Sequence, residues 1–359
     1  MNTLALESQL DKTHIFRMTD DTGMFQHAKF GVPDLSKGYT TDDNARALIM
    51  AVMLYEKEQK KSYLALVYRY LAFVLYSQNE TGRFRNFMTY DRKFIEAEGS
   101  EDCFGRCLWA LGYTMESTVM PKGVQDVCAR AVAAALDTKL FAIKSIRSQA
   151  YVLIGLGFLK TEAAHLRICE IATQLADSFD KCTKTSEWQW FEDELTYDNT
   201  VLPWAMFIAY RATKEQRFLD IARKSLAFVD TVTFRDGFFR PVGCDGWYKK
   251  DKEPALYDQQ PVEASMSTLA HLVAFEITEQ ADMLEFAQKS FAWYLGENSL
   301  GQSLIDPETG GCFDGITPTG VNRNQGAESI VGYTMAKLAL SKHNLTTPTF
   351  MTNQSCFER

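Results

Sequence analysis

Six times along this chain a polar loop runs into an apolar helix and brings acidic or amide side chains to its first turn. The clearest case is Gly38 to Met50, G-Y-T-T-D-D-N-A-R-A-L-I-M. Thr40 and Thr41 are favoured N-caps for the free backbone N–H groups of a helix start. Asp42 and Asp43 sit at its positive end. Comparable starts follow at S-E-D-C-F-G-R, at Ser145, at T-Y-D-N, at Q-Q-P-V-E-A and at N-Q-G-A-E-S, separated by roughly 45–65 residues. A period of that length predicts stacked helical hairpins.

The apolar positions fall at helical spacing, with Gly, Pro and Asn at the breaks. They predict helices near 42–57, 62–78, 101–117, 123–138, 145–159, 161–180, 198–212, 215–231, 261–278, 281–297 and 324–342. The first helix of each pair is rich in small and apolar residues, and the second carries more charge. Short strands are expected within the long loops, for instance near Phe238-Phe239-Arg240, and a polar tail from about residue 343. No second helix follows the sixth start, so the segment before Asp20 is expected to close the ring. The whole of 1–359 then reads as one domain, with an open helical solenoid as the alternative.

Composition narrows the function. Apolar residues make up 46% of the 359 and aromatics 13%, while the net charge is −8 without a basic cluster. Nucleic acid and anionic membrane are therefore poor partners. No run approaches the roughly 18 apolar residues of a membrane span. Met1 to Lys12 is polar and of mixed charge, without the basic start and apolar stretch of a secretory signal. The eight cysteines are scattered and read as reduced thiols. A cytoplasmic location is the expectation. Cys103 and Cys107, one turn apart, have no nearby partner to complete a zinc set. No metal or cofactor is expected, since G-x-S-x-G, Walker A, Rossmann and H-E-x-x-H patterns are all missing.

Six hairpins with buried inner helices and long loops on one face resemble the (α/α)6 toroid of the six-hairpin glycosidases and their relatives. The resemblance rests on the loop-to-helix starts and spans nearly the whole chain. It implies a sugar-binding funnel ringed by those starts, and glycoside hydrolysis assisted by two carboxyl groups, commonly with inversion. In such a ring the first inner helix faces the fourth, the second the fifth and the third the sixth. Asp42 and Asp43 would then face Asp198, Asp102 would face Glu263, and Arg147 would lie across from Glu328.

Hydrolysis needs one protonated carboxyl, raised in pKa by burial, and one carboxylate to activate water. Asp102 and Glu263 form the first expected catalytic pair, and Asp43 with Asp198 the second. Asp42, Asp193 and Glu328 are further acids for the site. Arg46 and Arg106 come one turn after acids, where they either lock a helix start or bind sugar hydroxyls. Trp188, Trp190, Trp247 and Tyr257 lie in loops and are expected to stack on sugar rings, with Asn199, Gln260 and Asn322 binding hydroxyls. The partner expected is an oligosaccharide. Two rival readings are an epimerase resembling the N-acylglucosamine 2-epimerases, which use histidines on a similar barrel, and a carbohydrate-binding protein without catalysis. Of the five histidines, only His27 and His271 fall where they could approach the site.

Overall fold

A computed structural model describes residues 10–136, 143–183 and 187–344. The tail expected beyond residue 343 lies outside the described residues from 345 on, as does Cys356. Twelve α-helices are formed among the described residues. Six are inner helices: α2 (Thr41–Glu58), α4 (Glu101–Glu116), α6 (Ile146–Leu156), α8 (Val201–Thr213), α10 (Pro261–Thr278) and α12 (Ala327–Asn344). Each packs on the next, and α12 packs back on α2, so the ring is closed and the solenoid is excluded.

Five outer helices cover the ring: α3 (Lys61–Ser77), α5 (Lys122–Leu136), α7 (Glu162–Thr183), α9 (Gln216–Thr233) and α11 (Ala281–Ala292). Each lies against the inner helix before it. The sixth position, over α12, is taken by the short α1 (Thr13–Arg17). The two ends of the described chain thus meet, as the missing second helix of the last pair required. The inner helices are buried on nearly every face. In α2 the whole run Asp43–Leu54 is buried, which explains why the inner members are richer in small and apolar residues. The buried apolar side chains form one continuous cluster.

The tightest inner contact is between α4 and α6. A Cβ on Gly155 would stand 2.6 Å from the Leu108 carbonyl oxygen, and one on Gly112 would stand 2.3 Å from that of Gly155. Only glycine permits backbones this close. The approach brings Arg106 of α4 within 3.2 Å of the Tyr151 hydroxyl on α6.

Among the described residues strands are confined to two-stranded antiparallel ribbons in the loops: β1 (Ala28–Lys29) with β2 (Val32–Pro33), β3 (Tyr39–Thr40) with β4 (Phe87–Met88), β5 (Glu194–Leu195) with β6 (Tyr248–Lys249), and β7 (Gly315–Thr317) with β8 (Gly320–Asn322). The strand expected at Phe238–Arg240 does not form. Phe239 is instead drawn into the core, where its ring lies 5.2 Å from that of Phe234.

Candidate active site

The loop-to-helix starts gather their charged side chains into one layer at the N-terminal ends of the inner helices. The capping differs from expectation. Thr40 makes no capping bond, and its hydroxyl donates to Asp43 Oδ2 at 2.5 Å. The Thr41 hydroxyl donates to the Arg85 carbonyl. It is Asn86, from the loop after α3, that accepts from the Asp42 and Thr41 N–H groups. The threonines are thus turned to hold acids and loop, and the helix start is capped from outside.

Arg46 pairs with Asp43 at 2.6 Å and reaches Glu328 at the start of α12 at 2.9 Å. Arg106 does not pair with its own Asp102. It binds Asp42 of the preceding inner helix at 3.0 Å and approaches Asp198 at 3.8 Å. The pairings therefore run around the ring. Arg147 does not meet Glu328: it pairs with Glu192 at 2.6 Å and donates to the Tyr197 carbonyl at 2.6 Å and to Asn199 Oδ1 at 3.4 Å. The reason is reach. Helices packed 8–10 Å apart in a six-membered ring leave opposite members roughly 20 Å apart, beyond a direct side-chain pair. Asp42 and Asp198, on the first and fourth starts, do converge: the Arg106 guanidinium lies 3.0 Å from one and 3.8 Å from the other, Asp198 being carried on the turn before α8 and not within the helix.

The hub is the turn Tyr197–Asp198–Asn199 before α8. Asp198 is in the left-handed region at φ 48°, which a short polar side chain tolerates better than most. Its N–H, and that of Asn199, donate to Glu263 at the start of α10; Asn199 Nδ2 also donates to Glu263 at 3.3 Å. The Tyr197 hydroxyl donates at 2.5 Å to Asp102, which also accepts from the hydroxyls of Ser145 and Ser148. Asp102 and Glu263 therefore both dock on this one turn, Asp102 partly exposed and Glu263 6% exposed.

Burial acts strongly on this layer. It pushes Glu263 up to about 8, with help from the Asp198 carboxylate and against the N–H groups of Asp198 and Asn199. Asp43 is raised by burial and by Asp42, against the pull of Arg46. Asp198 is raised by burial, which outweighs Arg106 and the Tyr151 hydroxyl that donates to it. For Asp42 burial also works upward, but the guanidinium groups of Arg106 and Arg46 prevail and hold it low. The layer thus contains carboxyls pushed in opposite directions, the condition for separate acid and base roles.

Other expected contacts are relocated. Trp190 is fully buried and Trp188 nearly so. Their indole N–H groups donate to the carbonyls of Glu194 and Glu192, and Trp188 packs edge-on against Phe228. Neither offers a face to a sugar: both are core residues of their loop. Asp193 is exposed, with its carbonyl accepting from Lys250 N beside the β5–β6 ribbon, away from the acid layer. Trp247, Tyr257 and Gln260 remain partly exposed on the loop face. Asn322 ends β8, where its side chain accepts from Asn324 N rather than from the cluster.

Residues that sequence reasoning did not place in the site are Tyr151, Tyr197, Ser148 and Phe87. Tyr151 follows Arg147 by one turn on a helix otherwise apolar at its level, and that lone phenol was its one signal. Phe87 is 45% exposed and lies opposite Thr40 in the β3–β4 ribbon. Cross-strand partners share a face, so Phe87 stands on the side where Thr40 meets Asp43. Four of the five histidines lie elsewhere. His271 is buried against Asp230 of α9, His14 bonds the Gln325 carbonyl, and His343 pairs with Glu276 near the C-terminal end of α10. His165 is exposed on α7. His27 is the exception: exposed beside the first ribbon, it acts on Asp314, which accepts from Gly326 N and the Ser329 hydroxyl at the start of α12.

No family model and no curated protein matches the chain. Solved structures do. A sugar epimerase from a ruminal bacterium is 13% identical, with 97% of this chain and all of that one covered at a TM-score of 0.73. Cellobiose 2-epimerase from Bacillus thermoamylovorans is 12% identical over 96% and 100%, TM-score 0.73. The GH76 α-mannanase of Bacteroides thetaiotaomicron is 12% identical over 96% and 95%, TM-score 0.65. The chain shares the (α/α)6-toroid fold of these structures.

Proposed function

We propose that this chain is a carbohydrate-active enzyme that hydrolyses a glycosidic bond of an oligosaccharide, with Glu263 as proton donor and Asp102 as the carboxylate that activates water. The observation that carries the reading is the shared turn. Glu263, held up at about 8, is protonated at neutral pH, and Asp102 docks on the same Tyr197–Asn199 segment as an acceptor of three hydroxyl groups. A carboxylic acid beside a carboxylate is what departure of a sugar leaving group and attack by water require. Asp42, low in pKa and about a fifth exposed, and Glu328 at its pair with Arg46 are acceptors for sugar hydroxyls. Phe87 supplies the aromatic face that Trp188 and Trp190 do not. Inversion is the expected stereochemistry, by analogy of fold.

The test is an oligosaccharide panel assayed for new reducing ends, with and without phosphate. Product without phosphate supports hydrolysis, and its first anomer reads inversion or retention. Product that needs phosphate refutes water as the nucleophile. Silence across the panel with saccharide binding intact refutes catalysis in favour of a binding protein.

A second reading is epimerisation or isomerisation of a free sugar, favoured by fold neighbours that include three sugar epimerases and a D-mannose isomerase. Those neighbours aside, the residues favour it less: His271 is turned to α9, and His27 alone stands on the loop face. Interconversion of free sugars without new reducing ends would establish it.

A further inference from the structure

Arginines at a sugar site either lock acids in place or receive the sugar, and here all three are committed to the first role. Arg46 donates from Nε to the Asp42 carbonyl at 3.5 Å, from Nη1 to Glu328 at 2.9 Å and from Nη2 to Asp43 at 2.6 Å. Arg147 is engaged in the same way, by the Tyr197 carbonyl, Glu192 and Asn199. Arg106 donates to Asp42 and to the Tyr151 hydroxyl, and its Nε is buried without a hydrogen-bond partner among the described residues. Every guanidinium nitrogen of the layer is therefore occupied or closed off. A guanidinium that recognises a sugar carboxylate or sulfate needs a free fork of N–H groups, and none is offered.

Exposure runs the opposite way for the acids. The three arginine side chains are 5–8% exposed, whereas their partners Asp42, Glu192 and Glu328 are 21%, 35% and 36% exposed. Cations lie beneath and carboxylates face outward: Asp42 on α2, Glu328 on α12 and, across the ring, Glu192 on the loop held to α6. Asp102 adds a fourth, partly exposed acid. Two other cations of the loop face stand outside these pairs: His27 acts on Asp314, and Arg323 is exposed just beyond β8.

We infer that the acid layer takes uncharged sugar units and rejects uronic acids and sulfated or phosphorylated sugars, with Glu192 a specificity-determining residue. Sugar hydroxyl groups donate to the outward carboxylate oxygens. An anionic sugar meets Asp42, Glu192 and Glu328 with no donor to receive it. Glu192 acts in two ways, since it carries one of these charges and also occupies the Arg147 Nη1 that an anion would use. The inference rests on the reading of this layer as a saccharide site, and not on which reaction takes place there.

The experiment is isothermal titration calorimetry of the full chain with saccharide pairs that differ only in oxidation at C6: β-1,4-mannotriose with β-1,4-trimannuronate, and α-1,4-galactotriose with α-1,4-trigalacturonate. In each pair that binds, the neutral member is expected to bind at least roughly tenfold tighter at low salt. The gap is expected to narrow at about 0.5 M salt, where the repulsion is screened. Glu192→Ala removes a charge and frees the Arg147 donor, so the affinity for the uronate should rise roughly tenfold. Glu192→Gln keeps an acceptor and should retain the affinity for the neutral member, with the far-ultraviolet circular dichroism of both variants that of wild type. A uronate that binds as tightly as its neutral partner, a gap indifferent to salt, or no gain of uronate affinity in Glu192→Ala would each overturn the inference. Binding of no saccharide overturns it together with the carbohydrate reading. Tight binding of neutral members without turnover supports it and refutes hydrolysis alone.

Discussion

Replacing Glu263 with Gln should make this protein gain stability relative to wild type as pH rises, while sharply lowering turnover. The carboxyl is shifted from 4.5 in an open chain to about 8 in the fold, by burial first and by the Asp198 carboxylate second. A folded-state pKa raised above the unfolded value means that the folded protein binds the proton more tightly. The associated stability is fully present below about pH 4.5 and is lost as pH rises through about 8. Integrating the two titrations gives a loss of about 3 kcal/mol at pH 7 and about 5 kcal/mol at pH 9, as upper bounds. Glutamine keeps the shape of the acid and cannot ionise, but its single oxygen can accept at only one of the two positions, from Asp198 N or from Asn199, and the amide NH2 opposes the other donor at a cost that does not vary with pH. Urea unfolding of both proteins at pH 5, 7 and 9 measures the difference directly. The variant's advantage should be least at pH 5 and grow with pH. Parallel stabilities across that range would refute the argument that burial governs this group. On activity, loss of a general acid lowers turnover by roughly 10²–10⁴, and wild-type kcat should decline above about pH 8.

Three further outcomes test the layer around it. Arg106→Leu leaves Asp42 and Asp198 without their shared cation and should cost about 3–5 kcal/mol in urea unfolding, more than a simple loss of packing. Gly155→Ala forces a methyl group onto the Leu108 carbonyl and should destabilise by about 1–3 kcal/mol, with turnover reduced because Arg106 and Tyr151 are moved apart. Phe87→Ala, at an exposed position, should leave the thermal midpoint nearly unchanged and raise KM for an oligosaccharide roughly tenfold. Phe87→Trp should restore KM; failure of Trp to rescue would remove the stacking role.

The architecture was legible because its signal is repeated. Inner helices buried all round, charged outer helices and a missing last partner are each visible in residue order, and α10 matches its expected span of 261–278. The acids at the helix starts were legible for the same reason, since the polar group and the helix share a few consecutive residues. What the sequence could not show is who pairs with whom. Arg106 follows Asp102 by one turn, yet the α4–α6 approach at Gly155 and the position of α2 leave its guanidinium nearer Asp42 and Asp198. Local spacing predicts an intrahelical pair, and tertiary packing overrides it. The tryptophans failed in another way. A loop on the surface still has an inner side, and Trp188 and Trp190 are the residues that fix theirs. Their indole N–H groups cap carbonyls of Glu192 and Glu194 within the same loop, a contact with no sequence signature.

The pairing around the ring has a consequence for how such a site works. Three cations tie the inner helices together: Arg46 joins α2 to α12, Arg106 joins α4 to the start of α2 and the turn before α8, and Arg147 joins α6 to that same turn. Removing any one cation unbalances two helices, so the buried charges are held in register by the closed ring, and the ring in turn is specified by the charges. If these acids act on a sugar as proposed, their positions are set before it arrives. The fold bears the desolvation cost continuously, in the raised carboxyls of Asp43, Asp198 and Glu263, and the same cost keeps a proton on Glu263 at neutral pH. Stability and acid strength are therefore tied at this one residue, and the Glu263→Gln variant separates them.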